Sequence, residues 1–160
     1  MEQDESIAHL RWVLERQLHW IGTADVKAGG MIGIYMALAA IAGSLLDSAS
    51  PTSSAKFLFI LAALALLPAL AFAVAVFFPR DQAARRSFIF FGEIAALDVH
   101  RFIDTAKSQT KAGLIDDLLG QVHINAKIAT SKHAYAKRSI IFGSVSLALW
   151  LAAVATFVGN

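Results

Sequence analysis

The 160-residue chain contains no cysteine. That excludes a disulfide framework, a thiolate metal centre and a cysteine nucleophile. Charge is also scarce. Only 16% of the residues are Asp, Glu, Lys or Arg, against 57% apolar, whereas globular domains carry about a quarter charged residues. A disordered chain needs the reverse balance. Proline occurs three times and nowhere from Leu114 onward, so nothing there interrupts a helix. The net charge of +2 is too small to indicate nucleic acid as a partner. No nucleophile elbow, phosphate loop, dinucleotide fingerprint or helical His-Glu metal motif is present. The five histidines are scattered, and no pair has ligand spacing. A protein that is not an enzyme, with no catalytic residue, no metal and no resident cofactor, is the expectation.

The chain does have apolar length. Three segments carry no charged side chain: 28–46, 57–78 and 139–158. Each is near the roughly 20 residues that cross a bilayer, and three are too many to bury in so small a soluble protein. The remaining residues hold all of the charge. The predicted partition is a helix over 1–27, a span over 28–46, an external loop at 47–56, a span over 57–78, a cytoplasmic helical region at 79–138 and a span over 139–158. Thirteen Lys and Arg lie in 1–27 and 79–138, and Lys56 alone lies in the loop. By the positive-inside rule the N-terminus and 79–138 are cytoplasmic. The expected fold is an all-α membrane protein. Three transmembrane helices carry a small helical cytoplasmic domain, made by extensions of the first and last spans plus one short helix.

Periodicity fills in this outline. Ile7, Leu10, Leu14, Leu18 and Ile21 share one helical face, and no breaker separates them from Ala28, so one continuous helix runs into the first span. Pro68 lies in the second span, either kinking it or tolerated by a packed bundle. Gly92 marks a break, Glu93–Lys107 reads as one helix with Ile94, Leu97, Phe102 and Ala106 inside, and 108–113 reads as a connector. From Leu114, Ile115, Leu118, Val122, Ala129 and Ala136 keep to one face, predicting a helix to Val158 of about 65 Å.

Charged residues at the membrane boundary are informative by position. Asp25 and Lys27, just after Trp20, need partners near hydrocarbon. Two positions apart, they do not face each other, so each should pair with the last helix or with the 80–92 segment. They form either a structural clasp or a ligand or gating contact. Region 79–138 has a net charge of +4, which both fixes topology and offers an anion site. Arg85 and Arg86, beside Phe90 and Phe91, are the best candidates for gripping a phosphate under a stacking surface, with Lys127 and Lys132 further along. Gly29 and Gly33 have the spacing that lets helices approach closely, within one protomer or between copies.

The stretch Trp20-Ile-Gly-Thr-Ala-Asp25-Val-Lys27-Ala28 leads into a span. Phe77-Phe78-Pro79 closes the next, and Phe90-Phe91-Gly92 follows. Asp117-Leu-Leu-Gly-Gln121, Ile128 and Lys132 then lead into the last span. This ordered set, over roughly 8–158, resembles the Pycsar effector domain of the membrane type. The resemblance implies an antiphage role. A partner pyrimidine nucleotide cyclase makes cCMP or cUMP on infection, and the effector answers this second messenger by damaging the inner membrane, causing abortive infection. On this reading the partners are the lipid bilayer and the cyclic nucleotide. Three spans are too few to enclose a wide pore, so a homo-oligomer is expected. The alternative is a small non-catalytic membrane scaffold or anchor without a ligand.

Overall fold

The computed structural model describes residues 2–48, 52–78 and 87–158. They form five helices: α1 (Glu2–Ser48), α2 (Ser53–Phe77), α3 (Phe91–Ala96), α4 (Val99–Ser108) and α5 (Lys111–Val158). No strand occurs among the described residues, and the all-α architecture follows. Two compact units result, Met1–Thr23 with Pro79–Ser131 and Ala24–Phe78 with Lys132–Asn160. Both α1 and α5 therefore contribute one part to each.

The second unit consists of α1 from Ala24, all of α2, and α5 from Lys132. Thr52 caps α2, its hydroxyl oxygen accepting from the Ala55 N–H at 3.3 Å, which satisfies one of the free donors at a helix start. The helix continues through Pro68, as proline does where neighbouring helices support the backbone. The core is built from small side chains. Ala24 and Ala28 of α1, Ala55, Ala62, Ala69 and Ala73 of α2, and Ala136 and Ala153 of α5 are all buried. Small residues let helix backbones approach, which is how helices associate where lipid removes the hydrophobic drive. Most of the large apolar side chains point outward instead, with Tyr35, Phe59 and Val76 buried among the small ones. Ile34, Leu67 and Ile141 are each more than half exposed. Only 6%, 22% and 17% of the most apolar windows of α1, α2 and α5 are buried. An apolar surface of this extent requires an apolar surrounding, and all three helices are long and apolar enough to cross a membrane. The chain is a membrane protein.

The first unit contains most of the charge. Its helix boundaries differ from the sequence expectation in two places. The helix expected over Glu93–Lys107 is two helices, and the break falls at Leu97–Asp98 rather than at Gly92. Leu97 is extended (φ −88°, ψ 144°) and Asp98 caps α4, accepting from the Arg101 N–H at 3.0 Å. An Asp side chain competes for nearby backbone N–H groups and so favours a helix start over a helix interior. Gly92 lies within α3 for a packing reason, since a Cβ there would meet the Phe90 ring at 2.6 Å. The connector before α5 is also shorter than 108–113. Thr110 accepts from the Gly113 N–H at 3.1 Å, so α5 starts at Lys111. Lys111 pairs with Asp4 at 2.7 Å in an exposed contact, worth little by itself.

Candidate functional site

Two arrangements of polar groups stand out, one in each unit. In the first unit the segment ahead of α3 is held by α5. Ser87 is 3% exposed. Its hydroxyl oxygen accepts from the Ile89 N–H (3.1 Å), the Phe90 N–H (3.0 Å) and the Gln121 side-chain amide (2.9 Å). One turn earlier on α5, Asp117 accepts from the Phe88 N–H at 2.7 Å. Its second carboxylate oxygen is buried without a hydrogen-bond partner among the described residues. Asp117 and Gln121 are four apart and share a face, so α5 presents them side by side to a segment that has no helix or sheet to satisfy its backbone.

This anchoring shapes a cavity of about 330 Å³. Ile89, Phe90 and Phe91 line it together with Leu14, Leu18 and Ile21 of α1 and Gln121, Asn125 and Ile128 of α5. The Phe90 and Phe91 rings lie 4.8 Å apart, inclined at 47°. Asn125 donates to the backbone carbonyl of Gln121 at 2.9 Å. The volume is at the small end of ligand sites, which are mostly apolar with a few placed polar groups. Ser87, Phe88, Glu93, Leu97 and Thr105 line a second space of about 260 Å³.

In the second unit Asp25 of α1 pairs with Lys132 of α5 at 2.5 Å. The lysine side chain is 10% exposed and the aspartate 33%. Further along α1 and α5, the Tyr35 hydroxyl donates to the Ser139 carbonyl (2.9 Å) and contacts the Ser139 hydroxyl (3.1 Å). Ser139 donates to the Ala69 carbonyl and Ser146 to the Ala62 carbonyl, each at 2.8 Å. Gly143 makes room for Tyr35, since a Cβ there would lie 2.3 Å from its hydroxyl.

The residues singled out by sequence are thus distributed unevenly. Phe90 and Phe91 line the first cavity. Arg85 and Arg86 lie outside the described residues. Lys127 is exposed on α5 and is not part of the lining. Lys132, grouped with them for its charge, belongs to the ion pair with Asp25. Lys27 is exposed and has no ion pair among the described residues. A long lysine stem reaches water from such a position. Trp20 is 44% exposed, with the Arg16 guanidinium 5.6 Å from its ring. Gly33 faces open space and Gly29 meets only Phe77, at 3.9 Å. The sequence assigned no role to Ser87, Asn125, Tyr35, Ser139 and Gly143, and Gln121 entered only as part of the Asp117–Gln121 family motif. The span residues do carry a signal in their spacing: Ser139, Gly143 and Ser146 are small residues at steps of four and three.

Taken together, these features define a three-span helical membrane protein with a charged helical unit that holds a small aromatic and amide-lined cavity. Residues 9–159 match the Pycsar effector protein domain, and the chain belongs to that family. Its role is accordingly that of a membrane effector in Pycsar antiphage defence. No curated protein and no solved structure matches the chain.

Proposed function

We propose that this effector senses a cyclic pyrimidine nucleotide, cUMP or cCMP, made by a partner cyclase, and that it responds by impairing inner-membrane integrity without catalysing a reaction. Family membership over residues 9–159 carries this reading. The cavity beside Phe90 and Phe91 supports it, because aromatic faces stack on nucleobases at about 1–3 kcal/mol per base. The bias of Lys and Arg toward 1–27 and 79–138 supports a cytoplasmic N-terminus and a cytoplasmic cavity, where a second messenger would arrive. Arg85 and Arg86 remain the candidates for the single negative charge of the ligand. Binding switches the protein only if the active state binds the ligand better. Moving from mostly inactive to mostly active takes about 5.5 kcal/mol of differential binding, which several protomers of a homo-oligomer supply together more readily than one.

The test is thermal unfolding of the detergent-purified protein with cUMP, cCMP, cAMP and cGMP, followed by dye release from liposomes containing it. A raised midpoint with one pyrimidine nucleotide, and release only in its presence, is the expected result. A ligand-free scaffold is the second reading, favoured by the lack of any charged residue among the described residues that line the cavity. It requires no shift with any of the four nucleotides and no release.

A further inference from the structure

Among the described residues, the cavity beside Phe90 and Phe91 is lined by apolar side chains and two polar ones, Gln121 and Asn125. Both are primary amides, one helical turn apart on α5. Gln121 is 4% exposed, and an amide placed among apolar groups costs free energy unless it is paired. Each is paired only in part. An amide NH2 has two N–H donors and its carbonyl oxygen has two acceptor sites. Gln121 gives one N–H to Ser87 (2.9 Å) and Asn125 gives one to the Gln121 backbone carbonyl (2.9 Å). These bonds fix the orientation of both side chains. Among the described residues, they also leave each with one N–H and one carbonyl oxygen uncommitted.

An adjacent donor and acceptor on a rigid plane match the edge of a pyrimidine. Uracil presents N3–H beside a carbonyl oxygen, and cytosine presents an amino N–H beside N3. Asn and Gln read adenine in DNA by the same two-point geometry. Resting on the cyclic-nucleotide reading above, we propose that Gln121 and Asn125 recognise the hydrogen-bonding edge of the pyrimidine base while Phe90 and Phe91 contact its face. Ser87 is then a positioning residue, since it holds both Gln121 and the backbone at Phe90. Sugar and phosphate would extend out of the cavity, whose lining among the described residues includes no charged group.

The experiment measures binding to the purified full chain by calorimetry, using cUMP, cCMP and N3-methyl-cUMP, with wild type, Gln121→Leu and Asn125→Leu. If wild type binds neither cUMP nor cCMP, the cyclic-nucleotide reading itself fails and this inference falls with it. If wild type binds, N3-methylation and either leucine substitution should each weaken cUMP binding about tenfold or more. The methyl group should then cost little further in the variants, because the interaction that it blocks is already gone. Wild-type affinity in both variants, or a methyl effect that is fully additive with the substitutions, would overturn the assignment while leaving the sensing role intact. Should either leucine variant fail to fold, the wild-type comparison of cUMP with its N3-methyl derivative decides: equal affinity refutes the assignment, and a tenfold loss supports it.

Discussion

Lys132 is the one lysine that the structure buries, and Asp25 is what makes that tolerable. A buried ammonium without its counter-charge is strongly unfavourable, whereas removing both charges is often neutral. Asp25→Ala should therefore cost about 3–5 kcal/mol, and Asp25→Leu combined with Lys132→Met should recover most of it, both read from thermal unfolding in detergent. The glycines divide in the same residue-by-residue way. Gly143→Ala forces a methyl group into Tyr35 and should destabilise by about 1–3 kcal/mol, as overpacking does. Gly33→Ala meets nothing within the protomer and should change stability by less than about 0.5 kcal/mol. A change of oligomer size on Gly33→Ile, measured by light scattering, would assign the Gly29–Gly33 face to contact between copies. From sequence alone Gly29 and Gly33 carried the motif and Gly143 did not. Which glycine is covered depends on where another helix places a tyrosine, and that is a long-range fact absent from local spacing.

At the level of elements, the segment 87–90 is neither helix nor strand, yet it is fixed by four hydrogen bonds that involve Ser87 and Asp117. Ser87→Ala removes the acceptor for two backbone N–H groups and for the Gln121 amide. A loss of about 1–3 kcal/mol follows for buried donors left unpaired. The Ile89 and Phe90 amides should then exchange with deuterium markedly faster, while amides in the middle of α5 stay protected. The long helices and the run of α1 into the first span were legible, because apolar periodicity and the lack of breakers extend over many residues. The division of Glu93–Lys107 was not, since Asp98 gains its capping role from one local competition between its carboxylate and the helix. In the candidate site, Phe90 and Phe91 were legible as an unusual aromatic run. Gln121 was legible only as the end of the Asp117–Gln121 motif and Asn125 not at all, because two amides on an amphipathic helix read as ordinary polar positions until the cavity beside them is known. Of the face expected on α5, Leu118, Ala129 and Ala136 are buried, Ile115 and Val122 are only half-buried, and Gln121 joins the buried positions.

For the whole molecule, topology is the property most directly open to test, and the absence of cysteine makes it easy. A single cysteine introduced at Ser54 should react with a membrane-impermeant maleimide in intact spheroplasts. One introduced at Ser108 should react only after lysis. The opposite pattern would invert the orientation proposed from the lysine and arginine distribution and would place the cavity where no cytoplasmic messenger reaches it. A different consequence follows from the bonds made by Ser139 and Ser146. Both end on main-chain oxygens of α2, at Ala69 and Ala62. Every residue has such an oxygen, so no side-chain replacement in α2 can delete the acceptors themselves. The specification of this helix pair is therefore unequally shared. The hydroxyls must be encoded in α5, while α2 need only stay small where it is approached. A library that randomises the outward positions of α2 among apolar residues should yield mostly functional proteins, and one that randomises positions 139, 143 and 146 of α5 should yield few.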